Sequence, residues 1–250
     1  MDQTVIVVGL GEVGQPLFDI IKRRHQPFGV DIDRPAPITQ CDVMHICFPF
    51  QGDNFVAQVV DYIGKYRPGL TVINSTVAPG TTRRIAMESG TVVVNSPVRG
   101  KHAPMREEML HYAKFVGALD PESGKRAVEH FQGLGMKTRL LASPEATEIA
   151  KLTETTYFGL MIAWAQEVER YCRATGANYD EVVSFYEEIK FFPPVKYFPG
   201  VIGGHCVMPN IGILLQRFPS DLLEAIVRSN MLKERDLEQQ GGGIRNQARA

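Results

Sequence analysis

Cys206 is the residue best placed by its neighbours to do covalent chemistry. It closes the run Gly203-Gly204-His205-Cys206 and is followed by Val207-Met208-Pro209-Asn210. Paired glycines let the backbone adopt positive φ and approach a ligand closely. A thiol presented there is a nucleophile if a nearby cation stabilises its thiolate. The same residues also read as a buried cysteine beside a flexible turn. His205 could help position a substrate, or serve the loop alone.

A second constellation lies near the N-terminus, Gly9-Leu10-Gly11-Glu12-Val13-Gly14, after an apolar run and before a helical one. In a strand–turn–helix setting the first glycine permits the tight turn. The second lets the backbone approach a pyrophosphate, and the third lets helix pack on strand. The helix N-terminus adds amide donors for phosphate oxygens. Asp31 follows Gly11 by 20 residues. There its carboxylate can accept hydrogen bonds from ribose hydroxyls and repel a 2′-phosphate, which predicts NAD rather than NADP. Arg34 nearby could instead accommodate such a phosphate. The expected cofactor contacts are Gly9, Gly11, Glu12, Val13, Gly14, Asp31, Ile32, Arg34, Pro49, Ser75 and Thr76.

The elements that position these residues follow from hydrophobic period. Apolar runs at 5–8, 28–32, 43–48, 70–74, 92–95, 114–118 and near 137–141 read as strands. Helical spacing appears between them at 15–25, 55–65, 81–88 and 121–134. Such alternation implies right-handed crossovers and a mainly parallel sheet. The pattern changes at Ser143-Pro144-Glu145, where serine suits an N-cap, proline the first turn, and glutamate the positive helix end. A helical stripe then runs through Ile149, Leu152, Thr156, Leu160, Ala163, Trp164, Val168 and Tyr171, with Gly176 as its stop. A shorter helical part follows, broken at Phe192-Pro193-Pro194, then a last helix at 220–237.

The predicted class is therefore α/β: a Rossmann-type, mainly parallel sheet, then a long central helix and a small helical domain. The expected division is 1–142 for the cofactor domain, 143–240 for the helical domain carrying the Cys206 loop, and 241–250 for a disordered tail. The stripe of the 145–176 helix exceeds what one sheet face would cover, which predicts a homodimer through it.

Bulk properties narrow the partners. A net charge of -1 gives no excess basicity for nucleic acid or an anionic membrane. Lys22-Arg23-Arg24 and Thr82-Arg83-Arg84 read as solvated helix faces. No apolar run reaches the roughly 18 residues of a membrane span, and no basic segment with a cleavage site opens the chain. The 4 cysteines, at 41, 47, 172 and 206, show neither a C-x-x-C spacing nor a disulfide framework. A reducing cytoplasm is the expected location and no metal site is expected. Cys41 and Cys47 read as small buried hydrophobes.

In sequence order, the chain resembles the UDP-glucose/GDP-mannose dehydrogenase family of nucleotide-sugar 6-dehydrogenases. The matching segments are the Gly9 to Gly14 loop, Val30-Asp31-Ile32-Asp33, Ser75-Thr76-Val77-Ala78-Pro79-Gly80-Thr81-Thr82, Ser96-Pro97, Glu148-Ile149-Ala150-Lys151-Leu152, and Gly203-Gly204-His205-Cys206-Val207-Met208-Pro209. The resemblance implies oxidation of a primary alcohol to a carboxylate in two hydride transfers to NAD. Cys206 would carry a thiohemiacetal and then a thioester. Lys151 would stabilise the oxyanion, and Thr76 would hold a catalytic water. The structural alternatives are a solvated helix lysine and a turn hydroxyl.

The departures are equally specific. Where the family has glutamate after Ser-Pro, this chain has Val98. The family asparagine four residues after the central lysine is Thr155, the aspartate after the cysteine is Asn210, and the Asn-Glu pair is Gln166-Glu167. Family enzymes carry a further C-terminal domain that holds the nucleotide, and the reading expects that surface to be largely absent here. Arg99, Lys101 and His102 add positive or titratable character and could bind a phosphate or carboxylate; a solvated basic turn is the alternative. The expected substrate contacts are Arg99, Lys101, His102, Thr155, Gly203, Gly204, His205 and Asn210. The competing reading of the whole is a catalytically weakened, NAD-binding dimer that acts as a sensor or interaction protein.

Overall fold

The computed structural model describes residues 2–99, 104–188, 198–204 and 206–239. They form two compact units, Met1–Lys151 and Leu152–Ala250. The Phe192-Pro193-Pro194 break and the 241–250 tail lie outside the described residues.

The first unit alternates strands and helices. Its elements are β1 (Thr4–Val8), α1 (Gly14–Ile21), β2 (Gln26–Val30), β3 (Cys41–Ile46), α2 (Asp53–Tyr66), β4 (Pro68–Ile73), α3 (Thr81–Ser89), β5 (Val93–Asn95), α4 (Met105–His111), β6 (Lys114–Ala118), α5 (Pro121–Gly133) and β7 (Thr138–Leu141). One sheet runs in the order β2-β1-β3-β4-β5-β6-β7. All neighbours are parallel except β5 and β6. The mainly parallel Rossmann-type sheet is thus present. Its order reverses at β1, so a crevice opens outside the carboxyl ends of β1 and β3.

The β1 sequence explains its central place. Val5, Ile6, Val7 and Val8 are all buried, as expected of a strand covered on both faces. Alternate side chains enter different cores: Val5 and Val7 join Leu17, Val72 and Phe131, while Ile6 and Val8 join Met44, Phe55 and Tyr66. Each large side chain so buried contributes about 1.5–3 kcal/mol.

A polar chain crosses this apolar interior. The Asn74 amide donates to His45 Nδ1 at 3.1 Å. His45 Nε2 meets His130 Nε2 at 3.0 Å, and His130 Nδ1 meets the Gln3 side-chain Oε1 at 2.8 Å. One neutral tautomer of each ring satisfies the whole chain in a single direction. Burial, with the neighbouring His130 and Lys114, holds His45 well below the usual imidazole range. Burial beside His25 lowers His130 to about 4.

α6 (Pro144–Thr175) opens in the first unit, where Ser143 Oγ accepts the Ala146 N–H at 3.2 Å as the expected cap. It ends where predicted: Gly176 has φ 75° and the Ala177 N–H reaches back to Cys172 O at 3.0 Å. The second unit continues with α7 (Tyr179–Ser184), a 3-10 turn (Phe185–Glu188), α8 (Val207–Arg217) and α9 (Asp221–Gln239). Ala163, Ile202, Val207, Ile211 and Ile226 form its core. Gly159 lets α8 approach α6, since a Cβ there would lie 2.6 Å from Val207 Cγ1. Among the described residues no helix is long and apolar enough to cross a membrane.

Candidate active site

The glycine loop is fixed by sterics. Gly9 adopts φ 86°, and its N–H donates to Val30 O at 2.8 Å, continuing the β1–β2 ladder. A Cβ on Gly14 would lie 1.7 Å from Gly9 O, so only glycine lets α1 start that close to the turn. Gly11 has nothing within 4 Å of its missing Cβ. That open backbone is where a ligand phosphate can approach. Val13 caps α1 and Glu12 is exposed.

Asp31 stands just past β2. Its carboxylate accepts from Leu10 N–H at 3.3 Å and Ile32 N–H at 2.9 Å, and its backbone exchanges hydrogen bonds with Arg34. A carboxylate offers about four acceptor sites. Two bonds therefore leave capacity for ribose hydroxyls. Ile32 is 92% exposed, an apolar side chain left open beside that carboxylate. Across the crevice, Ser75 Oγ donates to Phe48 O at 2.6 Å, which ties the ends of β3 and β4 and positions exposed Pro49 and half-buried Thr76. The loop, the open Gly11 and the Asp31 carboxylate together fit a dinucleotide.

The start of α6 is anchored by a buried carboxylate. Glu148, 1% exposed, accepts from the N–H groups of Gly80 (2.7 Å) and Thr82 (2.9 Å) at the positive end of α3. Burial raises its carboxyl above the ordinary value, opposed by those donors. Thr147 Oγ1 donates to Asn95 Oδ1 at 2.6 Å. Gly117 leaves room for this helix start, because a Cβ would lie 2.4 Å from Ser143 O. The Ser75 to Thr82 segment and the Glu148 to Leu152 segment, separate in sequence, thereby meet through Glu148. Half-buried Lys151 lies one turn further along α6.

Lys114 is the group that sequence reasoning missed. It is 5% exposed and donates to Ser96 O at 2.6 Å and Pro97 O at 3.3 Å. Burial lowers its ammonium to about 7; Cys47 opposes that shift and the nearby charge of Lys151 adds to it. Burial pushes the Cys47 thiol up to about 12, and Cys41 is likewise raised by burial. Cys41 is buried as expected, whereas Cys47 is partly buried and packs against the core. The one available signal for Lys114 was a lysine opening an otherwise apolar strand. Val98 is 8% exposed and packs into the core where the resemblance would place a carboxylate.

In the second unit Cys206 is half-buried at the N-cap of α8. The loop leading to it is held by neutral amides. Asn230, 3% exposed, accepts the Ile202 N–H at 2.7 Å, and Gln166 donates to Gly200 O at 2.7 Å. Ser229 Oγ donates to Gln166 Oε1 at 2.9 Å. Gly203 and Gly204 are exposed, and Gly204 has φ 81°. Two of the departing residues find each other: Asn210 Nδ2 donates to Thr155 Oγ1 at 2.8 Å. Thus Thr155, Asn210, Gly203, Gly204 and Cys206 belong to this unit, whereas Lys151, Thr76 and Arg99 belong to the first. Lys101, His102 and His205 lie outside the described residues. Among the described residues no group of three His, Cys, Asp or Glu side chains is placed to hold a metal ion.

This arrangement has counterparts. Residues 145–232 match the model of the UDP-glucose/GDP-mannose dehydrogenase family, central domain. Over this segment the chain is similar to that family's central domain. A UDP-N-acetyl-D-mannosamine dehydrogenase of Methanocaldococcus jannaschii is 25% identical over 177 residues, 69% of this chain and 41% of the relative. The chain thus spans about two fifths of that curated relative's length. A solved UDP-glucose dehydrogenase of Pyrobaculum islandicum superposes with a TM-score of 0.80 at 19% identity, covering 98% of this chain and 72% of that one. The UDP-D-ManNAc dehydrogenase of Pyrococcus horikoshii gives 0.79 at 19% identity, over 96% and 72%. At these identities the structural likeness carries the fold, and the family is one of oxidoreductases.

Proposed function

We propose that the chain is an NAD-dependent dehydrogenase that oxidises a primary alcohol of a nucleotide sugar to the carboxylate. The observation that carries this reading is that one family match, over residues 145–232, takes in both Lys151 and Cys206. The open backbone at Gly11 and the Asp31 carboxylate support NAD, because Asp31 favours ribose hydroxyls and repels a 2′-phosphate. NAD supplies the hydride acceptor for each oxidation.

The protein's own residues do the rest. Cys206 Sγ adds to the carbonyl carbon of the intermediate aldehyde and holds it as a thiohemiacetal. After the second oxidation the same sulfur carries a thioester. Water adds to that acyl carbon, the C–S bond breaks, and the thiolate is regenerated with the carboxylate product. The Lys151 ammonium stabilises the oxyanion at each tetrahedral stage, a term commonly worth about 3 kcal/mol. The N-terminal amides of α8 stand beside Cys206 for the same charge. Thr76 holds the attacking water. A homodimer through the 145–176 helix accords with the exposed Tyr157, Trp164 and Tyr171 of α6, and a monomer by light scattering at micromolar concentration would overturn that part.

The test is NADH formation with UDP-N-acetylmannosamine and UDP-glucose. Two NADH per sugar are expected from the wild type, and no acid from Cys206→Ala. Acid formation unchanged in that variant would sink the covalent step. A second reading, a weakened NAD-binding sensor, is favoured by the neutral Thr155–Asn210 pair and by Val98 in the core. NAD binding without turnover on a broad panel of alcohols would select it.

A further inference from the structure

One cluster at the functional edge of the first unit has no role in the chemistry above. β6 runs antiparallel to β5, so its first residues lie at the edge where β1, β3 and β4 end. Lys114 and Phe115 therefore open the strand at that edge. Side chains alternate along a strand. Lys114 enters the core over the Phe131 ring, at 5.4 Å, so Phe115 faces the other way. In the β6–β7 ladder Phe115 is the register partner of Arg139, which puts both side chains on one face.

The Arg139 guanidinium lies 5.8 Å from the Phe115 ring centroid. That of Arg99 lies 5.3 Å from the same ring and 5.7 Å from Tyr112. The turn carrying Arg99 is tied to the strand carrying Phe115, since Ser96 Oγ donates to Phe115 O at 2.7 Å and Lys114 holds the carbonyls of Ser96 and Pro97. Stacking uses the face of a guanidinium, while its N–H donors lie in the plane, where they match a phosphate or carboxylate. A single arginine on the outer strand β7 would suffice to discourage strand pairing. That purpose does not require a second arginine brought to the same ring from a separate turn.

We propose that Arg99 and Arg139, aligned on Phe115, form an anion-recognition site that takes a phosphate or carboxylate group. Assignment of that anion to the substrate rests on the dehydrogenase reading; anion binding itself does not. Arg139 is thereby a specificity residue that no motif in the sequence marks.

The test titrates inorganic phosphate, pyrophosphate and malonate into the full chain by calorimetry, with and without saturating NAD. NAD blocks the glycine loop as a competing phosphate site. Arg139→Gln and Arg99→Gln should each weaken the tightest of the three anions about fivefold or more. Phe115→Leu should weaken it less, and Arg23→Gln, in the distant Lys22-Arg23-Arg24 cluster, should not change it. Preference for the phosphates or for malonate identifies the group. Anion affinity unaltered in Arg139→Gln, or no binding by the wild type, overturns the site even if NAD binds. Loss of NAD binding with the arginine dependence intact would instead remove the dehydrogenase reading and keep the site.

Discussion

The glycine loop of the first unit and the cysteine loop of the second are both short, glycine-bearing turns, but they are held in place differently. The first is locked by backbone geometry, since Gly14 abuts Gly9 O, and the same unit buries charged or titratable groups at Glu148, Lys114, His45 and His130. The second is held by neutral hydrogen bonds from Gln166, Asn230, Ser229 and the Thr155–Asn210 pair. The first unit should therefore be sterically intolerant and sensitive to pH. The second should depend on a few amide contacts and respond little to pH near neutrality.

The largest effect is expected from Gly14→Ala. Its methyl would overlap Gly9 O, and relief requires moving α1, a cost of about 3 kcal/mol or more. Thermal melting should show the first unit destabilised and NAD binding lost. Gly11→Ala, with open space around it, should melt as the wild type does. Equal losses in the two variants would contradict the steric account.

Acid should act next, and on the first unit. His130 titrates near 4 when folded and near its ordinary 6.5 when unfolded. The unfolded chain thus binds the extra proton between those values, and stability falls as pH drops through that window, by about 3 kcal/mol in all. Protonating either ring also breaks the one-way chain from Asn74 to Gln3. Lys114 extends the argument upward: folded near 7 and unfolded near its ordinary 10.5, it makes stability rise with pH between them. Urea midpoints across pH should show both slopes, with the upper one missing in Lys114→Met. In the second unit, the Glu167 carboxyl is held below its ordinary 4.5 by Arg170, so its loss comes only at lower pH.

Asn230→Ala should cost about 2 kcal/mol by leaving the Ile202 N–H without its acceptor. Hydrogen exchange should rise at residues 200–204 and stay unchanged in the glycine loop. The smallest effect belongs to Thr155→Val, about 1 kcal/mol, because it strands the Asn210 amide. Adding Asn210→Leu should recover most of that loss, and strictly additive losses would show that the pair is not coupled.

The same contrast governs how much could be read from the sequence. The glycine loop was legible because a steric demand leaves a residue type at a fixed spacing. The strands were legible from their apolar runs, but β2 begins earlier than expected and stops at Val30, because Asp31 leaves the ladder to turn back on Arg34. α4 was missed, being a short helix of seven residues with little periodic signal. The reversal of β6 was also hidden, since strand polarity depends on the path of the connection. In the second unit Cys206 stood out, while its supports did not. Gln166 lies some 63 residues before the adjacent Ser229 and Asn230, and no motif marks that pair. Their partnership, like that of Glu148 with the start of α3, exists only once the chain is folded.

The reversed strand has one more consequence. Because β5 leaves and β6 returns at the same edge of the sheet, the intervening stretch, 96–113, begins and ends at the edge where β1, β3 and β4 also end. Ser96, Val98, Met105 and Met109 are buried and fix its described parts, so substitutions that spare the strands belong at its exposed positions such as Glu107 and Tyr112. That makes it a place where selection, or an engineer, can retune one edge of the sheet from its surface while the buried side chains keep α4 seated on α1.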